Sequence, residues 1–340
     1  MSRGDIVELD DPSWSAFVES RGEATPFHNA AWGGLLAECY GFRAFAIVVR
    51  HGGHVAAGLP VAEVRSPLRK RRWVALPFTD SLTPLGPPEL HGQLCSVLER
   101  LREAERVRSL EVRADVPAGL KSARGLSHVL PLGRDPDVVR RTFSKSQVQR
   151  NIARSVREGV TVREAVDIDD LVGTFYELHL LTRRRQGVPI QPRRFFALIW
   201  ERMIARGLGT VLVAELRGRP VASAVFLNWQ RTAVYKFGAS DAGAWSARPN
   251  HALFWEAIRR ACVAGTEEFD FGRTDPGNEG LRAFKSGWGT DERPLVYTSF
   301  GEAPGTPGSG WVGSALAATI RHSPLWLCRA LGETLYRYAA

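Results

Sequence analysis

Cysteine and methionine are scarce in this 340-residue chain, which has four of the first and two of the second. Cys39, Cys95, Cys262 and Cys328 stand neither in CxxC spacing nor beside clustered histidines, which argues against a metal site and a disulfide framework. They read as buried thiols of a reducing compartment. No run approaches the ~18 apolar residues of a membrane span. The most apolar tail, Trp311 to Ile320, is cut by Arg321, His322 and Pro324. The first thirty residues also lack the apolar core of a signal peptide, so the expected location is cytoplasmic. No Ser-His-Asp or Cys-His order stands out, which disfavours a covalent acyl-enzyme.

What the chain does have is one phrase written twice. Ala46 to Val61 and Val211 to Phe226 each run from a β-branched stretch through a short polar Gly turn into a second apolar stretch. Each reads as a β-hairpin, because Gly52-Gly53 or Gly218 supplies the backbone freedom of a tight turn. Two related domains are therefore expected, and a length of 340 residues with 44% hydrophobic content is enough for two cores.

Charge is uneven. Of the net +9, seven lie between Arg140 and Arg217, where 15 Arg/Lys face 8 Asp/Glu. Ser144-Lys-Ser-Gln147 has the form of a capping box, and Val148, Ile152 and Val156 recur behind it at four-residue spacing, which predicts an amphipathic helix ended by Gly159. Lys145, Arg150, Arg154 and Arg157 give that segment a basic ridge able to meet phosphates, although a solvated helix face has the same pattern. A second cluster, Arg183 to Arg185, closes a helix expected from about Asp169, where cations also suit a helix C-terminus.

Helices are expected around Trp14 and Phe17, through Trp32 to Leu36, and over Leu90 to Arg106, with strands at Trp73 to Leu76 and Ser109 to Ala114. In the second half the pattern predicts helices to Arg206, a strand from Thr232 to Gly238, a helix from Asn250 to Ala264 and a strand from Glu268 to Phe271. Each half thus reads helix, helix, hairpin, strand, helix, strand. After Phe300 a Gly/Pro/Ser stretch to Gly310 reads as a linker to a short helical tail.

That order, with the phrases Asn250 to Glu256, Phe269 to Arg273 and Leu281 to Gly289, resembles the Fem peptidyltransferase family and its tandem-GNAT relatives from about Phe27 to Tyr297. The resemblance implies an α/β fold of two tandem GNAT-like domains, each a mixed β-sheet flanked by helices. Residues 1–139 would form the first, acceptor-side domain, residues 140–300 the second, donor-side domain, and residues 301–340 the linker and tail. It also implies transfer of an aminoacyl group from aminoacyl-tRNA, or in some relatives an acyl group from acyl-CoA, to an amine on a cell-envelope precursor. In that setting Phe284 and Lys285 would lie beside the acyl-bearing end of the donor, and the loop carrying Phe78 and Asp80 would touch the acceptor.

The chemistry points the same way. Attack of an amine on an acyl carbon builds an oxyanion that a placed cation stabilises, and Lys285, in a Gly-rich stretch expected to turn back over the sheet end, is the candidate. Asp270, Arg273, Tyr235 and Asn250 join it as substrate contacts, the first two equally readable as a structural ion pair and turn. Asp80 is the candidate general base, or a turn cap.

Donor identity turns on a missing element. CoA-using GNAT domains cradle pyrophosphate in a Gly-rich loop at a helix N-terminus, whereas Ala244 to His251 here has no glycine and offers Arg248 instead. With the basic segment this favours a tRNA-borne donor, although no heptad between Leu171 and Arg206 builds the coiled-coil arm of some Fem proteins. An acyl-CoA enzyme of polysaccharide or natural-product assembly remains open, as does a non-catalytic RNA-binding protein. No tightly bound cofactor or metal is expected. The loops Ser66 to Arg72 and Pro77 to Pro88 suit a nucleotide-linked amine acceptor, and Arg69 to Arg72 or Trp326 to Tyr338 would permit peripheral membrane contact.

Overall fold

The computed structural model describes residues 5–65, 70–302 and 311–336. The residues 66–69 of the basic loop, the core of the expected linker at 303–310 and the tail residues 337–340 lie outside them. The chain divides into two compact units, one holding the described residues up to Leu126 and those from Pro294 to Glu302, the other holding Ser127–Arg293 and the C-terminal helices.

In the first unit the order is β1 (Ile6–Glu8), α1 (Pro12–Glu19), α2 (Ala30–Tyr40), β2 (Arg43–His51), β3 (His54–Arg65), β4 (Arg71–Val74), α3 (His91–Ala104) and β5 (Ser109–Val112). Strand β6 (Leu120–Pro131) leads out of it, and the end of a strand at Asp291–Gly301 returns to it and pairs antiparallel with β5. Strands β1 to β4 are antiparallel neighbours and β4 is parallel to β5. That parallel step needs a crossover, which α3 supplies. The β2–β3 turn is Gly52-Gly53, both at positive φ, as the paired glycines predict. Trp14, Trp32, Phe45 and Trp73 are fully buried in its core.

The second unit contains α4 (Pro136–Thr142), a π-helical turn at Lys145–Gln149 running into α5 (Arg150–Arg157), β7 (Val160–Glu164), a π-helical turn at Asp170–Phe175 running into α6 (Tyr176–Gln186), and α7 (Arg193–Arg202). Then come β8 (Gly209–Leu216), β9 (Arg219–Trp229), β10 (Thr232–Ser240), α8 (Pro249–Val263), β11 (Glu268–Thr274), α9 (Glu279–Ser286) and the start of β12 (Asp291–Gly301). Helices α10 (Trp311–His322) and α11 (Leu325–Leu335) pack on α6. Its strands lie in the order β6-β11-β10-β9-β8-β7. Again four antiparallel neighbours, β7 to β10, are followed by a parallel step, β10 to β11, with α8 as the crossover. The β8–β9 turn is Arg217-Gly218, and here a non-glycine residue takes the first positive φ, 55°.

Helices α4, α5 and α8 share one face of this sheet through a core that includes Phe143, Ile152, Phe226, Phe254, Phe271 and Trp288. On the other face His179, Phe195 and Phe196 surround Phe237 of β10, and Phe175 packs behind them on His179 and Phe196. Two expectations are corrected. Val156 is 70% exposed and does not join Val148 and Ile152 in the core; the face that α5 buries runs through Ile152 and Ser155 instead. β1, β6, β7 and β12 were not expected.

Candidate active site

Strands β10 and β11 begin as partners and then part. Their register runs through Thr232↔Glu268, Ala233↔Phe269 and Val234↔Asp270. Beyond it, a bulge between Tyr235 and Phe237 re-aims β10 while it stays paired with β9. Such a bulge turns side chains and ends pairing, so the facing edges of β10 and β11 diverge into a wedge at their C-terminal ends.

Lys285 lies at the β11 side of that wedge. The sequence placed it in a loop; it stands in the last turn of α9, 3% exposed, because Asn278 caps the helix through Leu281 N–H at 3.1 Å and helical spacing carries on to Ser286. Its Nζ donates to Gly272 O and Arg273 O, each at 2.8 Å. Gly272 has φ +73°, and Asp270 Oδ1 accepts from its N–H at 2.7 Å. Asp270 thus builds a local turn that helps present two successive carbonyls to the ammonium, while Arg273, exposed, pairs with Asp275. The Asp270–Arg273 phrase is accordingly a turn that holds Lys285.

Aromatic rings line the α8 side. Phe284 meets Phe254 edge-on at 5.6 Å and His251 edge-on at 5.3 Å. Tyr235 tilts against Phe254 at 4.7 Å, and burial pushes its phenol up to about 12, so it stays neutral and can only share its proton as a hydrogen-bond donor. A Cβ added to Gly238 would fall 2.0 Å from the Tyr235 hydroxyl oxygen, so the ring occupies space that only glycine leaves open. Asn250 is the second residue of α8 and half-buried.

At the start of α8 the chain passes through a 3₁₀ turn, Ala242–Ala247, and then Arg248 at φ +62°. Pro249 follows as the first helical residue, with no side-chain cap. Arg248 is half-buried, and its Nε is buried without a hydrogen-bond partner among the described residues. An unpaired guanidinium N–H at an uncapped helix N-terminus suits an anion. Lys145, Arg150 and Arg157 are exposed, and Arg154 is half-buried with Glu158 at 3.4 Å.

Four further residues lie near this site. His251 stacks on Trp288 at 5.9 Å and 27°, and Asn151 of α5 reaches its Nε2 at 3.3 Å. Burial, aided by Arg248, lowers this imidazole to about 4. His128 of β6 is fully buried, 3.9 Å from Glu292, and is held below the usual histidine range by burial and then by Lys285. Only the phrases containing His251 and Trp288 carried a signal for them.

Asp80 and Phe78 belong to the first unit. The Asp80 main-chain oxygen accepts from the Tyr297 hydroxyl at 2.7 Å, and Phe78 holds φ +62° with its ring 5.3 Å from Tyr40.

Residues 143–286 match the family model described as an acetyltransferase (GNAT) domain. Comparison with curated proteins gives no match. Among solved structures, the chain is similar to FemX at 15% identity, with 86% of this chain and 96% of that one covered and a TM-score of 0.69. It is also similar to L-PGS from Bacillus licheniformis (14% identity, 94% and 99% covered, TM-score 0.57). A tandem GNAT protein from the clavulanic acid biosynthesis pathway matches at 15% identity, 88% and 99% coverage and a TM-score of 0.52. The expected α/β fold of tandem GNAT-like domains is thereby established.

Proposed function

From a chain that carries a GNAT acyltransferase domain within a Fem-like fold, we propose an N-acyltransferase that moves an aminoacyl group from tRNA to the amine of a cell-envelope precursor or related metabolite. The observation that carries the transfer step is the β10–β11 wedge with Lys285 anchored on Gly272 O and Arg273 O. An acyl carbonyl entering the wedge meets a desolvated, fixed cation as its oxygen gains charge, and removing such a donor costs about 10²- to 10³-fold in rate. Phe284 and Tyr235 give the acyl end an apolar wall. The acceptor amine attacks the acyl carbon directly and the tRNA hydroxyl leaves, in keeping with a sequence that shows no Ser-His-Asp or Cys-His order for a covalent acyl-enzyme.

Support for a tRNA donor comes from the exposed cations of α5 and its leading turn, Lys145, Arg150 and Arg157, and from the helix entry at Arg248-Pro249. There proline has no N–H to give, and the His251 and Ala252 N–H groups bond to Arg248 O at 3.1 and 3.4 Å. Fewer backbone donors are thus left for a pyrophosphate than a Gly-rich loop would offer. Acyl-CoA is the second reading because residues 143–286 match an acetyltransferase (GNAT) domain model, and the unpartnered Arg248 Nε at the uncapped start of α8 would suit one phosphate of that donor as well.

The deciding experiment measures transfer and binding with aminoacyl-tRNA and acetyl-CoA side by side at two salt concentrations. Salt-sensitive tRNA binding with aminoacyl transfer is expected. Transfer from acetyl-CoA with no tRNA binding would overturn the donor assignment.

A further inference from the structure

We infer that His251, oriented by Asn151, is a positioning residue that fixes Phe284 and with it the Lys285 end of α9. This rests on the reading of Phe284 and Lys285 as the donor-end residues. It adds to that reading the group that sets their pose.

The geometry is specific. His251 is the third residue of α8, and its ring is wedged between two members of the core aromatic cluster, parallel to Trp288 and edge-on to Phe284. An edge-to-face contact orients as well as packs. An Asn amide nitrogen can only donate, so the 3.3 Å contact from Asn151 Nδ2 makes Nε2 the acceptor and leaves the ring proton on Nδ1. Asn151 stands beside Arg150 on the helix proposed to meet donor phosphates, and from the start of α8 Arg248 faces the same ring. Phe284 comes from α9, immediately before Lys285, whose ammonium is turned onto the β11 carbonyls. A positive charge at His251 would face that of Arg248 inside the aromatic cluster, and an uncharged imidazole is the form this place tolerates. Asn151 tethers the basic helix to the ring, and the ring holds Phe284.

Two variants of the full chain test this. Asn151→Asp replaces the amide donor by a carboxylate, which favours a proton on the ring. His251 should then titrate at least one pH unit higher than in the wild type, followed by its ring C–H resonances. On the donor that the wild type uses, kcat should fall as pH drops through that new value with KM for the donor unchanged. The wild type should stay flat there. His251→Phe keeps the ring and loses the acceptor, and should lower kcat about 10-fold or more at every pH.

The inference is overturned if the Asn151→Asp ring titrates as the wild type does, if it shifts without altering kcat, or if His251→Phe keeps wild-type kcat. A wild type that accepts only acyl-CoA would defeat the donor assignment alone, since the same kcat comparison is then read on acyl-CoA. If neither donor serves, the Phe284 ring resonances decide. They should shift as His251 titrates in Asn151→Asp, and their failure to move would overturn the inference.

Discussion

The two units lay out the same strands and finish them differently. In the first, the parallel pair β4–β5 is carried past its last paired residue. Ala75 N–H donates to Glu111 O at 2.8 Å and Leu82 N–H to Arg113 O at 3.0 Å, so the following loop is stitched along β5. The loop holds two non-glycine residues at positive φ, Leu76 at 38° and Phe78 at 62°. Its carbonyls are tied down by Thr79 onto Leu76 O at 2.8 Å, by Arg113 onto Thr79 O and by Tyr297 onto Asp80 O. In the second unit β10 and β11 separate after three residue pairs, and the exposed carbonyls of β11 are met by a side-chain cation. One frame is closed by main chain and the other is left open with a charge in it. Strained φ values cost about 1–3 kcal/mol each, so the closed version is held by its ties, whereas the open version has room for a substrate.

The sharpest way to break this contrast is Lys285→Met. It should cost about 10²- to 10³-fold in kcat while circular dichroism shows the fold retained. A variant within a few-fold of wild type would remove Lys285 from the transfer step.

Acid should separate the units next. Burial lowers His28 in the first unit to about 4, and in the second lowers His179 to about 3 and His251 to about 4. Each folded-state value lies below the unfolded one, near 6.5, so the unfolded chain binds the extra proton. The contribution is whole above about 6.5 and is lost as pH falls toward 4, by up to about 1.4 kcal/mol per pH unit per histidine. Hydrogen exchange at pH 5 against pH 7 should show the core strands β8 to β10 losing more protection than β2 and β3. Equal losses would contradict the assignment of three lowered histidines, His128 with His179 and His251, to the second unit and one to the first.

The smallest effect is expected from Tyr297→Phe, which removes one tie on the first unit's loop and should cost about 1 kcal/mol in denaturant unfolding. Donor KM should stay unchanged. A raised donor KM would place the donor in contact with the closed unit.

The hairpins were legible because their turns need particular residues, Gly52-Gly53 and Gly218, between β-branched runs. The parallel crossovers were legible because α3 and α8 carry apolar spacing over fourteen and fifteen residues. Four strands escaped: β1 is three residues long, β6 mixes small and polar residues, β7 is five residues long, and β12 contains Pro294. Lys285 was legible as a residue type beside Phe284. Its helix was obscured because Gly287 and Gly289 suggest a loop, whereas the helix ends just before them and only Gly289 takes a positive φ, 77°. Asn151 and His251 lie a hundred positions apart, and nothing local in either segment announces their contact. Arg248 showed a missing glycine, but not that an arginine takes the left-handed position itself.

The bulge in β10 has a consequence for how this strand can vary. In an unbroken strand residues 235 and 237 would project to the same side; here Tyr235 meets Phe254 of α8 while Phe237 meets His179, Phe195 and Phe196 on the opposite layer. Lys236 is thus a phase shifter that lets one strand feed an aromatic ring to both halves of the interior. Deleting it would invert the parity of everything that follows, sending Phe237, Ala239 and their neighbours to the wrong layers at once. Length changes within β10 should therefore survive only in compensated pairs, and relatives that keep both aromatic layers should keep the extra residue even where its identity drifts.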